Sequence, residues 1–422
     1  MKETDFITPH AQAEAAASVL RTTTTIRERA AQLASRAHQG ESAWFVIDEG
    51  FLDTAAEAVA DATRRRYPKL HIPVHSRWRH FEAGGIDRKA GLDRMLQGLP
   101  PILRGHAMID LAVVSVLLDA GAGPDWKYME PATGQALTRS EGLAVASFHA
   151  FTAGLFSSDR DHPCQADAEG LRALVTDHLA SAFQVSEANP LVGLEERAIL
   201  LRRLGEAMSE QPEVFGEIGR PAGLFDTVIS PLGPDVPHTA NVHAHTILSE
   251  LLRTLSGIWP ASNSIGDVPL GDCWRHSAVR GEGLTDGWMP FHKLSQWLTY
   301  SLIEPFAWSG VQVEGLDQLT ALPEYRNGGL LIDSGLLRLR DDSVTREIWR
   351  PGDEIIVEWR ALTVALMDDV ARAVRHQLRL SESQLPLACV LEGGSWAAGR
   401  ELAQRRRGGL PPLTVASDGT VF

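Results

Sequence analysis

Apolar residues recur at intervals of three and four through most of the chain, the spacing of helices that bury one face. Residues 106–120, HAMIDLAVVSVLLDA, are apolar nearly all round and predict a helix buried on most sides. Gly121 and Gly123-Pro124 stop it. A second helix is predicted over 139–153. In EERAILLRRLGEAMSE a stripe of Ala198, Leu200, Leu201, Leu204 and Met208 predicts a third. Leu248, Leu251, Leu252 and Leu255 make the same stripe in HTILSELLRTLSGIW, closed by Gly257. Further helices are predicted over 290–304, with Pro290 in the first turn, over 361–378 and over 395–406. Strand patterns are fewer: AWFVIDE at 43–49, and EIIVEW at 354–359, which equally reads as the start of the helix behind it. Two zones, 154–170 and 258–291, lack periodicity and read as long loops, a length that usually carries function. The fold class is therefore mainly α, with a small sheet at most.

Composition narrows the functions open to such a fold. The 422 residues, 44% hydrophobic and 22% charged, can bury a substantial core. Forty basic against fifty-four acidic side chains leave a net charge of −14, which argues against a nucleic-acid binder. A local pocket of two or three cations for a small phosphate is still compatible with that total. The three cysteines, Cys164, Cys273 and Cys389, are far apart and read as free thiols of a reducing compartment. The first residues, MKETDFITPHAQAEA, lack the apolar core of a secretory signal, and no eighteen-residue apolar window occurs. These features predict a cytoplasmic protein without membrane spans.

Five stretches concentrate chemistry. HSRWRHFE at 75–82, read as a loop after Pro73, offers His75 and Arg77 for a phosphate or carboxylate and Trp78 as a stacking face. A solvated, salt-bridged loop explains the same residues. DAGAGPDWKY places Asp119, Asp125, Trp126 and Tyr128 at the end of the buried helix, where Asp125 also suits a plain turn and Trp126 a core position. His238, His243 and His245 in HTANVHAH seed a metal site, but no further ligand stands at diagnostic spacing. The zone 271–293 holds Asp272, His276, Asp286, His292 and Lys293. A lysine at a helix start opposes the helix dipole, so Lys293 calls for a ligand or for a partner such as Asp286 or Glu324. Finally, LTALPEYRNGGLLIDSG sets Glu324, Tyr325 and Arg326 at the mouth of an apolar helix. There they are either a cap or a catalytic corner. P-loop, GxSxG and HExxH motifs are absent from the sequence.

Taken together, residues 110–128, 286–300, 319–335, 357–368 and 391–401 (LEGGSWAAGRE) resemble the uracil-catabolism family of fungi and bacteria. In that pathway uracil is converted to a nucleotide, ring-opened and degraded with release of urea; the family's own step is undefined. A more distant resemblance supplies a reaction. Queuosine-nucleotide glycosylases carry, in the same order, an Asn-aromatic helix end, a Phe-aromatic-Lys helix start, a Thr-x-x-x-Asp-Tyr-Arg motif and a Val-Glu-Ile-Arg-Ala motif. This chain shows Asp119 at the first, Phe291-His292-Lys293 at the second and Thr320 with Glu324-Tyr325-Arg326 at the third. Val357-Glu358-Trp359-Arg360-Ala361 stands at the fourth. The resemblance implies a helical domain like that of helix-hairpin-helix DNA glycosylases, with an acid and a lysine in a cleft. On that basis residues 1–70 pack as a helical segment on a catalytic region 71–422, in which two helical subdomains could flank the cleft. Glu in place of Asp at 324, Gly328-Gly329 in place of a Pro-containing turn, and glycines near 120 imply a leaving group other than queuine.

Cleaving an N-glycosidic bond needs a carboxylate near the oxocarbenium-like carbon, a hydrogen bond or proton for the leaving nitrogen, and cations for any 5′-phosphate. Glu324, Lys293 and Arg326 are of those types. The expected enzyme is an N-ribosyl hydrolase acting on ribosylurea or its 5′-phosphate, without metal or cofactor. Glu324 stabilises the cation or activates water, Lys293 and Arg326 hold phosphate or orient Glu324, and Asp125 is the second acid. Asp119 competes with Asp125 for entry to the site. Tyr325, Trp126, Tyr128, His75, Arg77, His292 and Arg360 complete the expected substrate contacts. Two other classes stay open: a metal-assisted amidohydrolase or deaminase using the three histidines, and a non-catalytic partner of a pathway enzyme.

Overall fold

A computed structural model describes residues 8–232, 240–259 and 263–416. It is mainly helical, and its strands form six two-stranded pairs. The chain divides into two compact units, each assembled from separate stretches of sequence. Among the described residues, unit 1 takes 8–74, 263–293 and 316–416, and unit 2 takes 75–232, 240–259 and 294–315. Residues 8–70 thus share unit 1 with 263–293 and 316–416.

Unit 1 is organised around the long helix Glu354–Leu378, whose buried face meets the helices Thr23–His38 and Leu52–Arg66. Ile26, Ala30, Leu33, Phe291, Val357, Ala361 and Val364 form one apolar cluster there. EIIVEW opens this helix rather than forming a strand. Helical pitch puts Glu354 and Glu358 on one side, four residues apart. That side meets the backbone N–H of Ser277, 2.6 Å from Glu354, and the ring of His276, 3.4 Å from Glu358. A strand would have mixed both acids with Ile356 on one face. The expected strand at 43–49 is present as Phe45–Ile47, paired antiparallel with Leu337–Leu339.

The zone 263–291 carries two small hairpins, Ser264–Ile265 with Val268–Pro269 and Cys273–Arg275 with Trp288–Pro290. Pro290 therefore ends a strand instead of starting a helix. It faces Cys273 in a two-stranded ladder, an edge setting that tolerates a residue without an N–H. The helix begins three residues later, at Lys293. Buried Arg29 pins the loop between these strands by donating to the carbonyls of Thr285 and Trp288, both at 2.9 Å.

Near the C-terminus the helices Leu387–Val390 and Trp396–Arg407 are joined by a π-turn, Leu391–Ser395. Gly393-Gly394 lets this turn lie against the Leu52–Arg66 helix: a Cβ on Gly394 would come 2.1 Å from the carbonyl oxygen of Val59. Replacing Gly394 by Ala should destabilise the protein by about 3 kcal/mol, because the obstruction is backbone and cannot rotate away. Gly329→Ala is the control. Its Cβ meets Pro412 at 3.4 Å inside the helix Tyr325–Ser334, so it should be neutral or gain up to ~1 kcal/mol. Denaturant midpoints of the two variants distinguish these outcomes.

In unit 2 the helix Pro101–Leu117 is buried from Ala107 onward, as its apolar run predicts. Helices Arg139–Thr152, Leu194–Ser209 and Ala244–Leu255 fall close to their predicted bounds. The stretch read as a loop at 75–82 is instead a short helix, Arg77–Phe81, with Arg77, Trp78 and Phe81 buried. Several of its polar residues pair inside the unit, Arg77 with Asp119 and Arg79 with Glu304, so much of the polarity that reads as loop belongs to a buried network. Trp78 donates its indole N–H to Ser301, and Ser76 donates its hydroxyl to Glu304.

Candidate active site

The Glu324 corner is built by three segments of unit 1 converging on one ion pair. Asp272, in the turn before the Cys273–Arg275 strand, accepts both arms of the Arg360 guanidinium at 2.8 and 2.7 Å. Both residues are buried. The same carboxylate accepts the indole N–H of Trp274 at 2.7 Å and the backbone N–H of Lys293 at 2.9 Å. Asp272 thereby caps the helix Lys293–Trp308 from outside, which answers the unfavourable place of a lysine at a helix start. Burial opposes the charge on Asp272, but the Arg360 ion pair and these hydrogen bonds outweigh it and hold the carboxyl far below the usual range.

Arg360 also reaches the chain ahead of Glu324. Its Nε donates to the Pro323 carbonyl at 3.3 Å, and its guanidinium lies 4.0 Å from the centre of the Phe291 ring. One side chain thus ties the Lys293 helix start to the turn that carries Glu324. His292, between Phe291 and Lys293, holds a left-handed backbone with φ 49° and bonds the Leu20 carbonyl through Nε2 at 3.0 Å. A non-glycine residue in that conformation is strained and needs such an anchor. Burial lowers the His292 pKa, keeping the ring neutral. His292 and Arg360 are therefore supports of the corner, not surfaces offered to a ligand.

Glu324 occupies the N-cap of the helix Tyr325–Ser334. Its two oxygens accept the backbone N–H groups of Arg326 and Asn327, each at 2.6 Å. Burial pushes its pKa up; the two N–H groups, Lys293 and Arg326 pull in the opposite sense. The architectural and chemical readings of this residue are compatible. A cap fixes the carboxylate in one orientation, each oxygen keeps a further lone pair, and the Lys293 ammonium is close enough to act on its charge. Glu324, Tyr325 and Lys293 are half-buried, so this corner meets solvent.

Arg326 turns elsewhere. It is 3% exposed, donates to the Gly409 carbonyl at 3.1 Å and lies over the Tyr325 ring at 4.6 Å. Its charge reaches Glu324 while its Nη1 serves the C-terminal turn. Asn327 and Ser395, which sequence reasoning did not single out, complete the support. Ser395 donates to Asn327 Oδ1 at 2.9 Å, and the Asn327 amide donates to the Leu322 carbonyl at 3.1 Å. The available signal was the Gly-Gly-Ser of the 391–401 block, whose π-turn aims Ser395 at the Glu324 helix.

The remaining predicted residues lie in unit 2. Asp125 is exposed in the turn after Gly123-Pro124. Trp126 is core, its indole N–H donated to the Phe183 carbonyl at 3.0 Å. Tyr128 is buried and stacks on His149. Asp119 is ion-paired with Arg77 at 2.8 Å, beside His80 and His75. Of the three histidines, His238 lies outside the described residues. His243 is exposed at the end of the strand Ala240–His243, and His245 Nδ1 is 3.2 Å from the Ser249 hydroxyl. Among the described residues, no three His, Cys, Asp or Glu side chains gather closely enough to hold a metal ion. Among the same residues, no helix is long and apolar enough to cross a membrane.

Fold and corner together define a mainly helical protein with an ion-paired hub holding a carboxylate near a lysine. Over residues 19–422 the chain matches the family described as Protein of unknown function (DUF1688), and it belongs to that family. It is 38% identical over 405 residues to Protein urg3 of Schizosaccharomyces pombe, covering 94% of this chain and 96% of that protein. It is 36% identical over 436 residues to Uracil catabolism protein 4 of Lachancea kluyveri, covering 96% and 98% respectively.

Proposed function

We propose that this chain acts in uracil catabolism as an N-ribosyl hydrolase, cleaving the glycosidic bond of ribosylurea or its 5′-phosphate to release urea. The pathway rests on the name of the Lachancea relative, which this chain matches along nearly its full length. The reaction rests on one observation: Glu324 is a carboxylate oriented by two backbone N–H groups, beside Lys293, at a half-buried corner. The motif order shared with queuosine-nucleotide glycosylases supports the same chemistry and carries the expectation of a helix-hairpin-helix glycosylase fold. The ligand is a small ribosyl compound, and the working compartment is the cytoplasm.

The ureide nitrogen leaves as urea by taking one proton from solvent, which balances the proton that the attacking water later gives up; its departure leaves positive charge on the anomeric carbon and ring oxygen. A fixed carboxylate stabilises that charge and accepts a proton from the incoming water. Lys293 pulls the Glu324 pKa down against the larger upward push of burial, and it offers a cation to a 5′-phosphate. Incubating the protein with ribosylurea and with ribosylurea 5′-phosphate should release urea and the free sugar in equal amounts from one of them. Folded protein that leaves both intact would refute the proposal.

A further inference from the structure

Unit 2 holds an open cavity of about 570 Å³ that the hydrolase reading does not use, a volume within the usual range of small-molecule sites. A buried acid sets one side of it. Asp110, on the helix Pro101–Leu117, is wholly buried and accepts Nε and Nη2 of Arg220 on one oxygen, at 2.9 and 2.6 Å. Its other oxygen accepts the backbone N–H of Ala222 at 2.9 Å. These attachments fix the turn that leads into the helix Gly223–Ile229. Gly223 lets that helix lie against the short helix Pro212–Phe215: a Cβ there would come 2.6 Å from the Phe215 α-carbon. Arg220 lines the cavity, with its guanidinium held by Asp110. Among the described residues its Nη1 has no partner, so two N–H groups are left over.

Carboxylates stand on the same lining. Oδ1 of Asp226 meets His106 Nε2 at 3.1 Å, and its Oδ2 has no partner among the described residues. Glu213 is exposed and likewise unpartnered among them.

We propose that this cavity binds a small amino acid bearing a second ammonium group, its carboxylate on Arg220 and its two ammonium groups on Asp226 and Glu213. A guanidinium nitrogen with two unused N–H groups suits a carboxylate oxygen. The Asp110 charge offsets that of Arg220, so Asp226 and Glu213 leave the lining acidic. A dianion such as phosphate is repelled there. A simple amine leaves Arg220 without an acceptor, and a ligand with one ammonium leaves an acid unanswered. Pro212, Val214 and Phe215 present apolar surface for the methylenes that separate the ligand's charges.

L-Lysine is the probe. Its controls are cadaverine, which lacks the carboxylate, and 6-aminohexanoate, which lacks the α-ammonium. None contains a glycosidic bond and no residue of the Glu324 corner is involved, so the result stands apart from the hydrolase reading. Calorimetric titration of the full-length protein should show saturable one-to-one binding of L-lysine. Each control should bind at least ~10-fold more weakly, the scale of one lost charge-assisted bond. Glu213→Gln, a change at an exposed position, should leave thermal melting unaltered and weaken L-lysine by a similar factor. Absence of saturable binding, either control bound as tightly as L-lysine, tighter binding of inorganic phosphate, or undiminished binding by the Glu213 variant overturns the proposal. Arg220 is then the structural partner of Asp110 alone.

Discussion

Glu324→Gln should lower urea release from the ribosyl substrate by at least roughly 100-fold, the scale of losing a general base or an electrostatic stabiliser. The fold should survive, because a glutamine oxygen still caps one backbone N–H of the Tyr325–Ser334 helix. The cost to stability should be about 1 kcal/mol. Circular dichroism and a denaturant midpoint close to wild type, beside lost turnover, separate a chemical role from a capping one. A variant that stays active makes Glu324 a cap only. The wild-type pH profile gives a second view. Burial raises the Glu324 pKa, so activity that needs the carboxylate should rise with pH on a limb displaced above the usual glutamate range. That limb should be absent from any residual activity of the variant.

Arg360→Ala should be the most destabilising single change near the site, at about 3–5 kcal/mol, because it strands the buried Asp272 charge. Three attachments go with it: the bidentate ion pair, the bond to the Pro323 carbonyl and the packing over Phe291. Thermal melting measures the loss. The Asp272 carboxyl is depressed in the folded state, so its contribution is fully present above the ordinary aspartate pKa. It is lost as pH falls toward the folded value. The gap between wild type and variant should therefore narrow in acid. A gap that is constant from neutral pH to the acid limb, or a loss below ~1 kcal/mol, would contradict a charge-pair origin.

The helices were legible wherever an apolar stripe met a clear stop, as in Leu194–Ser209 and Ala244–Leu255. Boundaries set by distant groups were not. Pro290 looks like a helix opener, yet the start is fixed at Lys293 by a carboxylate twenty-one residues earlier. The stretch 75–82 reads as a loop because charges so dense usually face water, while in the fold Arg77 is buried against Asp119 and His80. The capping place of Glu324 and its nearness to Lys293 could be read locally, from a capping position and a lysine opposed to a dipole. The roles of Arg326, His292 and Arg360 could not. Sequence marks them as polar residues near the site, but only the carbonyls of Gly409, Leu20 and Pro323 show where their donors go.

The π-turn at Leu391–Ser395 works as a phase adjuster. One extra residue in a helical path rotates everything after it by about 100°. Downstream of the turn, Gly399 must present its bare α-carbon to the Arg326 carbonyl, and Arg407 must meet Asp333 at 2.7 and 2.6 Å. Both contacts grip the helix that begins at Glu324. Chain length between Val390 and Trp396 is thus as much a part of the design as residue identity. Shortening it by one would point every later contact at the wrong neighbour, even with each side chain retained.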